Sequence, residues 1–482
     1  MSNFRPILLV IGLMLTTLGL AMLVPVLLDL VVENPDWQVF LAAASVTLFV
    51  GTSLVLVSRG IDGRLRLHQA FLLTTLTWVV LPAFAALPFA FSELDLSYTD
   101  AFFEAMSGLT TTGSTVITGL DLAPPGILIW RSLLQWMGGI GIIVTAVAIL
   151  PMLRVGGMQL FRMESSDRSE KVLPRAAQIS AVISVIYLGL TMICGAAYWG
   201  AGMSGFEAVA HAMTTIATGG FSTSDASVGH FRSASIDYIA TLFMIVGSLP
   251  FLLYFQALRG HPLLLWRDSQ VRWFVAILAV VIAALAGWQI LGNDVRMADA
   301  VRYTSFNVVS ILTGTGYATT DYMQWGPFAV TAFFFIMFIG GCAGSTSCGI
   351  KIFRFQVLYA AASTQMGRLL QPHGVFVAQF NRRPIPESVM DSVMSFFFLF
   401  ALIFGVLAVL LTMLGLDPLT AVSAAASALA NVGPGLGEII GPAGNYASLS
   451  DAAKWLLSAA MLLGRLELFT VLVLFTRAFW EA

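Results

Sequence analysis

Six stretches of this chain, 6–28, 37–58, 132–153, 238–258, 273–293 and 392–416, contain no Asp, Glu, Lys or Arg. Each is long enough for a helix to cross a bilayer, which takes about 20 apolar residues. Four more stretches, 68–92, 176–202, 322–350 and the charge-interrupted 455–476, bring the expectation to ten spans. The composition agrees, since only 10% of residues are charged, against about 25% in an ordinary soluble domain. The first stretch is too long, and too closely followed by a second, to read as a cleaved leader. The expectation is an all-α, multi-pass membrane protein.

The basic residues set an orientation. Arg5 precedes the first span. Arg59, Arg64 and Arg66 follow the second; Arg154, Arg162, Arg168, Lys171 and Arg175 the fourth; Arg259, Arg267 and Arg272 the sixth. Lys351, Arg354, Arg368, Arg382 and Arg383 follow the eighth, and Arg477 closes the chain. These 18 of the 24 lysines and arginines fall on one side. The positive-inside tendency makes that side cytoplasmic, with both termini there. The net charge of -2 carries no message about partners, and no nucleic acid is expected among them. Cys194, Cys342 and Cys348 all sit in apolar segments, with no disulfide framework and no metal-ligand spacing.

Four connections on the opposite side repeat one pattern. Each is a half-length amphipathic segment running into a Gly-centred turn: TDAFFEAMSG into TTTGST, FEAVAHAMTTIATGGFST, RYTSFNVVSILTGTGYAT, and LTAVSAAASALANVGPG. The turn glycines Gly113, Gly219, Gly316 and Gly433 recur at intervals of 106, 97 and 117. Each turn is followed by a span with its own small-residue mark: MGGIG, VGSLP, IGGCAG and LGRLE. The chain reads as an unrepeated hairpin, 1–66, followed by four units at 67–160, 161–262, 263–385 and 386–482. One such loop alone is an ordinary Thr/Gly turn between helices. Four on one side suggest a pseudo-fourfold ring, because non-helical backbone at membrane depth must be buried in protein or line a watery cavity. In such a ring, backbone carbonyls and threonine hydroxyls replace a bare cation's hydration shell. Glycine lets successive carbonyls turn inward, and the C-terminal ends of the half-helices favour positive charge.

These residues resemble the Trk/Ktr/HKT potassium transporter superfamily over essentially the whole chain. TTTGST, ATGGFST, TGTGYATTDY and ANVGPG look like its four filter loops, while LQWMGGIGIIV, LLGRLELFTV and the N-terminal hairpin resemble its TrkH branch. The resemblance implies a potassium-binding filter built from Thr111, Thr112 and Gly113; Ala217, Thr218 and Gly219; Gly314, Thr315 and Gly316; and Asn431, Val432 and Gly433. Gly113 stands where serine accompanies sodium transport in the plant branch, and Gly314 stands where serine is expected. The resemblance also implies bacterial inner-membrane location, potassium as the transported ion, no cofactor in this chain, a homodimer, and a cytosolic ring of TrkA-type nucleotide-binding subunits.

Two further features stand out. GGCAGSTSCGIK, 340–351, interrupts the eighth span with Gly340, Gly341, Gly344, Ser345, Thr346, Ser347, Gly349 and Lys351. It is a poor helix interior. It reads either as a small-residue packing face or as an unwound loop, and the resemblance makes it an intramembrane gate. Arg465 lies deep in the tenth span, where a charge costs at least about 2.5 kcal/mol and usually marks an ion path. Glu467, two residues on, faces elsewhere. Arg465 is thus either one half of a structural ion pair with another repeat or, as the resemblance implies, a positive barrier in the pore.

Other classes fit less well. A proton- or sodium-coupled potassium symporter remains the alternative, although such folds usually hide one site between inverted repeats and these repeats are parallel. There is no H-E-x-x-H helix or nucleophile elbow for an enzyme, and no arginine-studded helix for a voltage sensor. His68 and His211 read as polar spots near interfaces. GPGLGE at Gly433 sits in a filter loop, not between a strand and a helix as a dinucleotide site requires.

Overall fold

The computed structural model describes residues 4–60, 66–148, 172–381 and 383–481. The boundary expected at 160/161, and Arg64, Arg154, Arg162, Arg168, Lys171 and Arg382 from the orientation argument, lie outside these residues.

Seven described helices are long and apolar enough to cross a membrane: Arg5–Val31, Trp37–Val57, Leu67–Phe91, Pro125–Val144, Gln178–Gly200, Ser269–Gly292 and Glu387–Met413. Their outward faces carry bare apolar side chains such as Phe49, Met192 and Phe398, as lipid contact requires. Two more helix pairs are apolar enough together but are sharply bent. Ala234–Gly247 meets Phe251–Leu258 at 90°, and Asp451–Arg465 meets Phe469–Phe475 at 107°. Pro250 opens the second arm of the first bend, where its ring cannot continue the preceding helix. At the other bend, Glu467 and Leu468 both take positive φ.

The eighth crossing departs from a continuous span. Only Pro327–Ile336 is α-helical before residues 340–351 fold into an irregular loop, and Ile352–Leu370 then leaves as a new helix. Gly340, Gly344, Gly349 and Lys351 all have positive φ, which ends any helical reading of this segment. Lys351 and Arg354, counted above among surface cations, are 5% and 1% exposed. They belong to the interior and say nothing about orientation.

The N-terminal hairpin packs backbone to backbone. A Cβ on Gly12 would lie 2.8 Å from the Gly51 carbonyl oxygen, the close approach that small residues allow between membrane helices. Asp29 then ties this hairpin to the first repeat, its carboxylate accepting the Gly126 N–H at 2.7 Å near the start of helix Pro125–Ala148.

Candidate ion-conduction site

Four short helices, Tyr98–Leu109, Gly205–Ile216, Met297–Leu312 and Pro418–Ala430, run into the four Gly-centred loops. Three begin at a side-chain cap: Ser97, Ser204 and Asp417 accept the backbone N–H of Asp100, Glu207 and Thr420. Hydrogen bonds from the Thr420 side chain and backbone hold the Asp417 carboxyl below the usual carboxylate range. The polar starts face away from the loops, so the carbonyl ends of all four helices aim at them.

The loops share one backbone course. The N–H of Thr112, Gly219, Thr315 and Val432 each reaches back five residues, to the carbonyls of Ser107, Thr214, Ser310 and Ser427, at 2.8–2.9 Å. The residue before each of these has positive φ, as does the residue after: Thr111 and Gly113, Thr218 and Gly220, Gly314 and Gly316, Asn431 and Gly433. This register corrects the second loop. Gly220, not Gly219, is the conformational counterpart of Gly113, and the matching triplet is Thr218–Gly219–Gly220. Ala217 drops out. Its N–H still closes the helix on Met213, and the Thr218 hydroxyl occupies its carbonyl at 2.8 Å.

The four loops meet. A Cβ on Gly113 would overlap the Gly219 carbonyl oxygen, one on Gly220 that of Thr315, and one on Gly316 that of Val432. A Cβ on Gly433 would lie 2.7 Å from the Thr112 oxygen. Each loop glycine therefore abuts the carbonyl of the next loop, in the order one, two, three, four and back to one. Gly113, Gly220, Gly316 and Gly433 line one common cavity, with Ser114, Pro434 and Tyr446 among its other walls. Such a ring offers neutral oxygens at short range, which suits a desolvated monovalent cation. Among the described residues no group of three or more His, Cys, Asp or Glu is placed to hold a metal ion.

Side chains outside the loops hold the ring. Arg131 and Glu104, both buried, pair at 2.8 Å. Arg131 also donates to the Ser222 carbonyl at 2.7 Å and lies 4.1 Å from the Phe221 ring centroid. Glu104 accepts the Val116 N–H at 2.9 Å. One ion pair thus spans the first two loops. Ser114, Ser427 and Tyr446 hydroxyls all donate to the Gly433 carbonyl at 2.8–2.9 Å. The sequence reading missed Glu104 and Arg131, although each is a charge inside a membrane-depth segment, the same signal that singled out Arg465. His211 is not an interfacial residue. It is fully buried, bridging the Glu207 carbonyl at 2.9 Å and the Ser222 hydroxyl at 3.0 Å.

The 340–351 loop lies on the opposite side of the ring from the common cavity and touches all four repeats. The Thr346 hydroxyl lies 2.9 Å from both the Ile216 and Gly247 carbonyls. The Ser347 hydroxyl donates to the Thr313 carbonyl at 2.5 Å, and the Gly349 N–H to Ala430 at 2.9 Å. The Cys348 sulfur is 3.6 Å from the Thr111 hydroxyl. Three of the four helix ends are therefore capped by this one loop. Arg465 is 3% exposed and reaches the loop from the fourth repeat, with its guanidinium 2.6 Å from the Cys348 sulfur and 3.3 Å from the Thr346 carbonyl. It also donates to the Gly138 carbonyl at 3.3 Å. Among the described residues Arg465 has no carboxylate partner. Glu467 pairs instead with Arg354 at 2.5 Å and Lys351 at 3.5 Å. The ion pair expected of Arg465 under the structural reading is absent among those residues.

A model of the TrkH family, described as a cation transport protein, matches residues 36–481. The chain is 46% identical to the Trk system potassium uptake protein TrkI of Halomonas elongata over 482 residues, covering all of this chain and 98% of that one. It is 40% identical to the Trk system potassium uptake protein TrkH of Escherichia coli K12 over 486 residues, 99% of this chain and all of that one. The crystal structure of the potassium transporter TrkH from Vibrio parahaemolyticus superimposes with a TM-score of 0.92 at 38% identity, covering 99% of this chain and all of that one.

Proposed function

This chain belongs to the TrkH cation-transport family, and from that premise we propose that it carries potassium ions into the cell through a channel-like pore in the bacterial cytoplasmic membrane. One observation carries the reading: four loops from one chain close a ring in which every glycine abuts the next loop's carbonyl. The potassium ligands are the carbonyls and hydroxyls of Thr111–Gly113, Thr218–Gly220, Gly314–Gly316 and Asn431–Gly433. The ring selects by neutral dipoles, so potassium and rubidium pass in preference to sodium and lithium.

The 340–351 loop is the gate. It lies against the helix ends, and its hydroxyl-to-carbonyl contacts through Thr346 and Ser347 are of a kind that exchanges readily with water. Arg465 adds a fixed positive charge beside the path. A unit charge about 6 Å from a passing cation repels it by roughly 3 kcal/mol at an effective dielectric near 20. The names of the relatives place them in a potassium uptake system, which fits a protein working with other components. We assign control to a cytosolic TrkA-type nucleotide-binding subunit and the working form to a homodimer, with both termini cytoplasmic. The chain divides functionally into the hairpin 1–66 and pore repeats 67–160, 161–262, 263–385 and 386–482.

Purified protein in liposomes tests this. Potassium is expected to move down its own gradient with no sodium or proton gradient imposed, and faster when the cytosolic subunit is added. Potassium movement that requires a sodium or proton gradient would replace the pore with ion-coupled symport.

A further inference from the structure

We propose that Gln135 is a specificity-determining residue of the ion path: a side chain from the first repeat that completes the second filter loop. The proposal rests on the reading of the ring as a potassium filter. At the ring carbonyl position three loops carry a buried side chain of their own, Thr112, Thr315 and Val432, and the second has Gly219. That space is filled from elsewhere. A Cβ on Gly219 would overlap the amide group of Gln135.

The amide is held at both ends. Its Nε2 donates to the Gly219 carbonyl at 2.5 Å, and its Oε1 accepts the Phe221 N–H at 3.0 Å. Gln135 is fully buried on helix Pro125–Ala148, so both bonds form away from competing water. A residue serving only as filler would need neither bond. Among the described residues, no side chain donates to the carbonyls of Thr112, Thr315 or Val432. One ring oxygen in four is therefore hydrogen-bonded by a donor that the other three lack.

Two consequences follow for a cation in the ring. The donor fixes the direction of the Gly219 carbonyl. It also draws on that oxygen's lone pairs, so this oxygen presents a weaker field than its three counterparts. Discrimination between potassium and sodium depends on the number and field strength of such dipoles. Gln135 thus steadies the ring while making it less strict than four equivalent carbonyls would be.

The test compares potassium-to-sodium flux ratios in proteoliposomes, with melting temperature recorded for each protein. Gln135→Leu removes both hydrogen bonds and is expected to lower the ratio about fivefold, the scale of one net hydrogen bond. Gly219→Thr alone overlaps Gln135 and is expected to destabilise the protein. Gln135→Ala with Gly219→Thr gives the second loop a side chain of its own and leaves its carbonyl undonated. This double variant is expected to melt close to wild type and to exceed the wild-type ratio. Gly113→Ser serves as the filter control. A double variant that folds with a ratio at or below wild type overturns the proposal, as does a folded Gln135→Leu with an unchanged ratio while Gly113→Ser shifts it. Unchanged ratios in Gly113→Ser as well would instead defeat the filter reading itself.

Discussion

The ring and the 340–351 loop are both irregular backbone at membrane depth, yet they are held differently. The ring, besides its side-chain supports, is fastened loop to loop: each loop bonds back to its own helix through the same five-residue reach, and each glycine abuts the neighbouring backbone. Nothing there can move without displacing the next loop. The 340–351 loop is fastened to others. Backbone bonds tie it to Gly247, Ser248, Phe251 and Ala430, side-chain hydroxyls reach carbonyls 216, 247 and 313, and one guanidinium comes from the fourth repeat. Four nearly equivalent contacts make a stiff object, whereas one loop bridging four partners makes a removable one. Under the proposed function, the same chemistry of carbonyls and hydroxyls serves a selector in one place and a stopper in the other.

The largest effect is expected at the ring. Gly113→Ser places a Cβ against the Gly219 oxygen, and one displaced loop displaces its neighbour. The potassium-to-sodium flux ratio is expected to fall at least about tenfold, since even a 1.4 kcal/mol loss of discrimination is a factor of ten. An unchanged ratio would mean that the ring does not select.

At the stopper, Arg465→Ala is expected to raise potassium flux about tenfold without changing the ratio. This is well below the ceiling that a bare 3 kcal/mol charge barrier would set, because water replaces part of the field. Arg465→Lys separates charge from tether. If repulsion dominates, it stays near wild type; if the bonds to Thr346 and Cys348 dominate, it rises like alanine. A well-expressed Arg465→Ala with wild-type flux would remove Arg465 from the conduction path.

Thr346→Val deletes the hydroxyl that reaches two repeats at once. Basal flux without a partner should rise about fivefold, the worth of roughly one net hydrogen bond. Flux that stays at the wild-type level would show that the loop is held by its other bonds, those of its backbone among them. Ser345→Ala completes the series, because its hydroxyl bonds only within the loop, to the Cys342 carbonyl at 2.6 Å. Its effect on flux should stay within about twofold; a larger one would mean that internal order, not attachment, keeps the loop in place.

The sequence made the ring legible and the 340–351 loop only half so. Thr/Gly turns recur because the backbone course recurs, and every repeat had to keep it. The second loop was misread by one residue because ATGGF offers two adjacent glycines. The clue was the aromatic after the glycine: Phe221 follows Gly220 as Tyr317 follows Gly316. Gln135 escaped because the side chain it replaces is absent from a loop 84 residues further on. Glu467 gave no hint of its true partners, since Arg354 lies 113 residues away. Tertiary pairing at that range leaves no periodic trace. The break in the eighth span was visible in its glycines, but its contacts with four repeats were not.

Closure of the ring has a consequence for how the protein is made. The Ser114 hydroxyl bonds the Gly433 carbonyl, and Asn431 donates to the Thr112 hydroxyl, each across 319 residues. A ribosome must therefore deliver nearly the whole chain before the first loop meets its last neighbour. Until then the first three loops form an open arc, with one flank of Thr112 uncovered. A chain cut short before Asn431 lacks the fourth loop and cannot close the ring.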